Sequence, residues 1–221
     1  MVTRRTAILA FALGSGLVAS GMAASDFWND KQPNQWAEKD VQRLLSKSPW
    51  AKDAAVEIDF GGMGGPGMGG PGMGPPGMDG PGGFGGPGGP GGMSAVVRWE
   101  SAAPVRDASK NKLEPDPAGS YVISVSGFPM LSELVETMGA SGLESMKKTT
   151  SLQRGGKAPV APSYITVPFD QSGVLLFYFP SDADPISSDD KQVVFQTKSQ
   201  AFGLKAKFVP KEMLYRGKLA L

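Results

Sequence analysis

The 221-residue sequence contains no cysteine and no histidine. The absence of cysteine excludes disulfides, thiolate-bound zinc, iron–sulfur clusters and c-type haem attachment. The absence of histidine excludes imidazole metal ligands and the catalytic pairs in which histidine activates serine or cysteine. An enzyme built on this chain would have to use carboxylates, lysine, tyrosine, serine or a bound cofactor. The composition therefore favours a non-enzymatic protein without a cofactor, with a carboxylate-dependent enzyme as the alternative.

An excess of either charge is also lacking, since 22 Lys and Arg oppose 21 Asp and Glu. Residues 1–24 have the pattern of a secretory signal: Arg4 and Arg5 precede the apolar stretch Ala7–Val18, and small residues follow. This stretch is shorter than the roughly 18 residues of a spanning helix, which favours a cleaved signal over a retained anchor. Cleavage removes two basic residues and leaves 20 against 21 acidic ones. That balance gives no electrostatic reason to bind nucleic acid or an anionic membrane. The signal pattern predicts a periplasmic or secreted protein.

Glycine and proline, with 31 and 19 residues, are concentrated in one segment from Gly61 to Met93. These 33 residues comprise 19 Gly, 7 Pro and 5 Met, together with Asp79 and Phe84. Such a segment cannot bury enough apolar surface to offset the entropy of ordering the chain, and it is predicted to be a disordered loop. The sequence on either side has an ordinary composition. We therefore predict a single β-rich domain over residues 25–221, interrupted by residues 61–93.

Alternation of apolar and polar residues predicts strands through most of the flanking sequence. The predicted strands are Val56–Phe60, Ala95–Glu100, Tyr121–Ser126, Ser163–Phe169, Val174–Phe179, Gln192–Thr197, Leu204–Val209 and Met213–Leu221. Helical spacing predicts an N-terminal helix over about Trp36–Ser46 and short helices over Leu131–Met138 and Gly142–Lys148. The pattern predicts a mainly β protein, an antiparallel sandwich or half-barrel, with α+β as the alternative.

The strands on either side of the glycine-rich segment are predicted to form a β-hairpin whose turn is that segment. A long flexible loop is tolerable because each doubling of its length costs only about 0.6 kcal/mol. In this arrangement we expect Arg98 to face Glu57 or Asp59 across the strand pair.

Four methionines in the glycine-rich segment, Met63, Met68, Met73 and Met78, recur every five residues. Thioether sulfur is a soft ligand that suits copper(I), and a chain with evenly spaced methionines could wrap one ion. The alternative is a repeat-expanded spacer in which the methionines are incidental, and the composition favours that interpretation.

The chain after residue 181 is rich first in acidic and then in basic residues. The acidic connection could hold calcium, but it lacks the glycine and distal glutamate of an EF-hand loop, and a solvated turn is favoured. Its members are Asp182, Asp184, Asp189 and Asp190.

The basic residues could form a patch for an acidic partner or envelope polymer if they share a sheet face. Protection of a free sheet edge by lysine is the favoured alternative. These residues are Lys191, Lys198, Lys205, Lys207, Lys211, Arg216 and Lys218.

Three tryptophans, Trp28, Trp36 and Trp50, cluster before the first predicted strand. They could line a groove for sugars or peptides. Tryptophan on such a helix more often anchors it to the sheet, and we predict that structural role here.

Several segments together resemble a family of secreted bacterial proteins without an assigned activity. They are Trp36 through the helix to Ser48-Pro49-Trp50-Ala51-Lys52, then Val97–Ala102, Phe179-Pro180, Asp190–Phe195 and Met213–Leu219. The resemblance implies export and one domain, and it implies no activity for individual residues. The expected function is a binding or interaction module of the cell envelope or extracellular space with a flexible Gly/Pro/Met-rich arm. Its partner, a protein or an envelope polymer, is not specified by the sequence.

Overall fold

The computed structural model describes residues 26–58, 93–110, 113, 117–168, 173–182, 184–199 and 201–221. The predicted signal over residues 1–24 lies outside the described residues, as does the glycine-rich segment except for Met93. The helices in the described ranges are α1 (Phe27–Asp30), α2 (Glu38–Ser46), α3 (Ala103–Ser109) and α4 (Leu131–Thr149), with 3₁₀ turns at Pro33–Gln35 and Pro210–Glu212. The strands are β1 (Ala51–Ile58), β2 (Ser94–Trp99), β3 (Ser120–Ser126), β4 (Ser151–Arg154), β5 (Tyr164–Thr166), β6 (Val174–Pro180), β7 (Val193–Lys198), β8 (Phe202–Phe208), β9 (Leu214–Tyr215) and β10 (Lys218–Leu219).

Eight of these strands form one sheet in the order β4-β7-β8-β1-β2-β3-β6-β5. Neighbouring strands are antiparallel, and the sheet curves into a half-barrel. The predicted mainly β, antiparallel fold is therefore confirmed. Strands β9 and β10 form a separate two-stranded hairpin after the last strand of the large sheet.

The strands on either side of the glycine-rich segment are adjacent and antiparallel, as the sequence predicted. Ala51 pairs with Arg98 and Ala55 pairs with Ser94. The predicted contact of Arg98 with Glu57 or Asp59 is wrong, because β1 begins five residues earlier than its alternation indicates. In the actual register Glu57 lies opposite Gly203 of β8, while Asp59 lies outside the described residues.

The inner face of the half-barrel carries the hydrophobic core. Each strand contributes alternate side chains to this face, among them Val97, Ile123, Phe177, Phe195 and Phe208, and all five are fully buried. The aromatic rings meet edge to face, with 5.1 Å between the centroids of Phe177 and Phe195. Such contacts add to the stability that comes from burying apolar surface alone.

Strand β6 is buried on both faces, as its unbroken apolar sequence predicted. Its inner-face residues join the main core, whereas Leu176 and Tyr178 on the outer face pack with Val122 of β3 in a small second cluster. This second cluster, with the partly buried Leu113 and Val174 packed against it, accounts for the apolar outer face of the strand.

The three tryptophans at the start of the chain are buried anchors, which confirms the structural interpretation. The rings of Trp28 and Trp50 lie 5.4 Å apart, edge to face. Trp36 packs in the same way on Phe27 at 5.5 Å. The indole Nε1 of Trp50 donates to the carbonyl of Ala220 at 2.8 Å. This hydrogen bond joins the residue before β1 to the residue that follows the C-terminal hairpin.

Helix α4 contains the two predicted short helices as one run that is broken at Gly139. There the backbone has φ 57° and ψ −167°, a conformation that glycine adopts and L side chains avoid. Leu131 and Met146 are the buried residues of the run, which packs against β5 and β7. The break allows both halves to place apolar side chains against the sheet.

Apart from the 3₁₀ turns, three described elements are absent from the sequence prediction: helix α1, helix α3 and strand β4. The predicted strand over Met213–Leu221 is also wrong, because this segment turns back on itself at Arg216 and Gly217. Both residues have positive φ, 52° and 75°, which is the geometry of a two-residue hairpin turn.

Candidate functional site

The four methionines of the predicted copper(I) site, Met63, Met68, Met73 and Met78, lie outside the described residues. The site therefore stays a prediction from their spacing. The remaining candidates, the acidic connection and the basic residues, are placed by the structure.

The acidic connection is attached to the sheet by a group that we call the Arg154 cluster: Arg154, Lys157, Asp184 and Asp190. The guanidinium Nη2 of Arg154 lies 2.7 Å from Asp184 Oδ2, and its Nη1 lies 3.7 Å from Asp190 Oδ2. Lys157 Nζ lies 3.0 Å from Asp184 and 3.7 Å from Asp190. Two of the four predicted acids are thus engaged by cations. Asp182, Asp184 and Asp189 are nonetheless exposed in the segment that leads to β7, as expected of a solvated turn. No group of three or more acidic side chains that could hold a metal occurs among the described residues.

The charges of this cluster influence how Asp184 titrates. The hydrogen bond from Lys157, together with the positive charges of Arg154 and Lys157, lowers the pKa of Asp184 below its ordinary value of 3.8. No local sequence pattern indicates this arrangement, because 30 residues separate Arg154 from Asp184.

A second buried polar group, formed by Arg98, Glu100 and Ser124, was also missed by sequence reasoning. Glu100 is 6% exposed, and its Oε1 accepts from Arg98 Nε at 2.7 Å and from Ser124 Oγ at 2.6 Å. Arg98 Nη1 donates in addition to the carbonyl of Leu45 at the end of α2, at 3.2 Å. Every contact of this group is internal to the fold, and its role is to join α2, β2 and β3.

The predicted basic residues divide into separate groups. Lys198 of β7 and Lys205 and Lys207 of β8 share the outer face of the sheet, since they alternate with buried residues and the two strands pair in register. We call these three residues the lysine row. Arg216 and Lys218 belong to the C-terminal hairpin, and Lys211 lies in the 3₁₀ turn before it.

The interpretation of these lysines as guards of a free sheet edge is wrong. Strands β7 and β8 are interior strands: β7 lies between β4 and β8, and β8 lies between β7 and β1. A lysine on such a strand protects no unpaired backbone groups. Another reason is needed for three like charges on this face.

The surroundings of the lysine row leave its ammonium groups accessible. All three side chains are exposed, and none forms an ion pair with a carboxylate in the ranges that the structure describes. Gly203, directly opposite Lys198, contributes no side chain to the face. Glu57 of β1 lies opposite Gly203 and is the acidic member of the three β1 residues that the structure pairs with β8. The arrangement is a row of like charges that can attract an anion.

Among the described residues, no helix combines the length and the apolarity that crossing a membrane requires.

No protein-family model, curated protein or solved structure matches the chain.

Proposed function

We propose that the chain is an exported, non-enzymatic binding module of the cell envelope or extracellular space, and that its lysine row binds an acidic polysaccharide. The observation that carries this proposal is the placement of Lys198, Lys205 and Lys207 on one face of two interior strands, where they are exposed and form no ion pair with a carboxylate among the described residues. The predicted signal and the resemblance to secreted bacterial proteins support the location.

The geometry of a strand suits a ligand with repeating charges. Side chains two residues apart on one face, such as Lys205 and Lys207, are separated by about 6.5–7 Å. Lys198 extends the row, because it pairs with Gly203, two residues before Lys205. A chain with an anionic group on successive units can contact several lysines at once, so weak single contacts add up.

The neighbours of the row favour a polyanion over a folded protein partner. Protein interfaces depend on buried anchors, mainly tryptophan, tyrosine and arginine. The outer-face positions opposite Lys205 and Lys207 are instead occupied by Gln196 and Val194, both already half-buried. A charged face of this kind can attract an acidic polymer, and the two residues opposite Lys205 and Lys207 are not among the anchor types of protein interfaces.

Replacing all three lysines of the row by glutamine is expected to weaken binding to alginate, an acidic polysaccharide, by roughly tenfold, since each exposed pair contributes a few tenths to 1 kcal/mol. Binding of the purified protein to immobilised alginate is measured at low and at high ionic strength, with neutral dextran as the reference. Binding by the unsubstituted protein should fall as salt increases, because mobile ions screen exposed charges.

The matched control replaces Lys39, Lys47 and Lys110 by glutamine, which changes the net charge equally at exposed positions in or directly after α2 and α3, away from the row. This variant should bind alginate like the parent protein. Equal weakening by the two triple variants would show that net charge alone is responsible and would contradict the proposal. If alginate does not bind and a protein binds in a way that requires the lysine row, the proposal that the row binds an acidic polysaccharide is contradicted.

A second function, copper(I) binding, is favoured by one observation, the five-residue spacing of Met63, Met68, Met73 and Met78. We propose that these thioethers bind one copper(I) ion. Anaerobic titration against a chromogenic copper(I) chelator should show about one equivalent of bound copper, and replacement of all four methionines by leucine should abolish it. Substitution of Met138 and Met146 of α4 serves as the control. Equal copper uptake by the four-leucine variant would contradict this function.

A further inference from the structure

A groove of about 560 Å³ lies between the beginning of α3 and the C-terminal hairpin. Its volume falls in the range of sites for small organic molecules. The residues that line it are Ser101, Ala103, Arg106, Tyr215, Arg216, Lys218, Leu219, Ala220 and Leu221.

The charged side chains that line this groove are all positive: Arg106, Arg216 and Lys218. None of them forms an ion pair with a carboxylate within the described part of the chain. The carboxylate of Asp107 lies beside the groove, where it accepts a hydrogen bond from the Tyr215 hydroxyl at 2.9 Å. The groove thus gathers three cations whose charge no acidic side chain of its wall offsets.

The tyrosine in the wall adds no negative charge. Burial, together with the hydrogen bond and the negative charge of Asp107, raises the pKa of Tyr215 to about 12. Its hydroxyl therefore stays protonated at neutral pH and continues to donate to Asp107.

Arg216 occupies a backbone position at which arginine is unfavourable. It has φ 52° in the two-residue turn between β9 and β10, where asparagine or glycine fits with least strain. Its guanidinium lies over the Tyr215 ring at 5.0 Å, and its Nη2 donates to Gln32 Oε1 at 2.8 Å. A guanidinium has five N–H donors, so this one hydrogen bond leaves others for a ligand.

We propose that this groove binds a small organic anion with two or more carboxylate or phosphate groups. The three cations would bind the anionic groups, and the apolar side chains of Ala103, Leu219 and Ala220 would contact the carbon skeleton. The site shares no residue with the lysine row, so this proposal does not rest on the proposed function and can fail or hold independently of it.

The test uses citrate and pyrophosphate as probes, which distinguish carboxylate from phosphate ligands, with binding to the whole protein measured by titration calorimetry. Each of the single variants Arg106→Gln, Arg216→Asn and Lys218→Gln should weaken binding of the preferred probe by about tenfold, as expected for loss of a charged hydrogen bond. Lys148→Gln, with the same change in net charge at an exposed position of α4 that does not line the groove, should leave it unchanged.

Arg216→Asn separates binding from folding. Asparagine tolerates positive φ, so the variant should unfold at the same temperature as the parent protein or at a higher one while it loses affinity. If Arg216 served folding alone, Arg216→Asn would unfold at a lower temperature than the parent protein but would keep its affinity for the probe while folded. The proposal is overturned if neither probe binds the unsubstituted protein, if binding survives in both Arg216→Asn and Lys218→Gln, or if Lys148→Gln weakens it equally.

Discussion

Replacement of Glu100 by alanine is expected to destabilise the fold by about 3–5 kcal/mol, the cost of breaking a buried ion pair by removing one partner. The side chain of Glu100 is 8% exposed and that of Arg98 is 20% exposed, and their shortest contact is 2.6 Å. Without the carboxylate, the guanidinium of Arg98 would remain half-buried with a single carbonyl partner at Leu45. Ser124 would lose the acceptor of its hydroxyl as well. Urea-induced unfolding measures the change in the free energy of unfolding.

The control that distinguishes a broken ion pair from a packing defect is the double variant Arg98→Met with Glu100→Leu. It leaves no charge buried, so we expect it to be more stable than Glu100→Ala although it carries one substitution more. Glu57→Ala, at an exposed position of β1, should change stability by less than about 0.5 kcal/mol. The single variants Arg98→Met and Glu100→Leu are measured as well. If the double variant loses as much stability as the two single variants together, the proposed interaction between Arg98 and Glu100 is contradicted.

The same substitution should loosen the end of α2. Arg98 donates to the carbonyl of Leu45 in the last turn of this helix, where a cation is favourable because it satisfies an unpaired carbonyl and complements the helix dipole. In Glu100→Ala the guanidinium is no longer held in place by its carboxylate. Faster amide hydrogen exchange in α2 is therefore the expected local effect.

The parts of the fold that the sequence predicted are those determined by local pattern. Strand β6 was predicted because Val174–Phe179 is apolar on both faces, and the pairing of β1 with β2 was predicted because two strands flank one long insertion. The beginning of β1 was missed because Ala51–Ala55 does not alternate, and the error in register gave Arg98 the wrong partners. Helix α3 has only seven residues, too few for helical periodicity to be visible.

The candidate sites depend on contacts between residues that are distant in sequence. The three residues of the lysine row were identified from the sequence. Their position on interior strands depends on the strand order, which local sequence patterns do not determine. The groove combines Arg106 of α3 with Arg216 of the C-terminal hairpin. No local signal connects residues so far apart, so the groove was not predictable.

Replacement of Asp184 and Asp190 together by asparagine is expected to destabilise the fold by about 3 kcal/mol, because it leaves a buried cation without a counterion. The side chain of Arg154 is only 2% exposed. In the double variant its guanidinium would keep neutral acceptors only, among them the carbonyl of Pro185 at 3.3 Å. Asp189→Asn, in the same segment at an exposed position, is the matched control and should change stability by less than about 0.5 kcal/mol. Equal losses of stability in the double variant and in Asp189→Asn would contradict a stabilising role of the Arg154 cluster.

The single variant Asp184→Asn adds a pH dependence with a defined sign. The pKa of Asp184 is lower in the folded chain than its ordinary value of 3.8. Its ionised form therefore stabilises the fold above pH 3.8, and this contribution is lost as the pH falls through the folded pKa. The difference in stability between the unsubstituted protein and Asp184→Asn should be constant at neutral pH and should shrink on acidification below 3.8. A difference that persists unchanged in acid would contradict the assigned ion pairs.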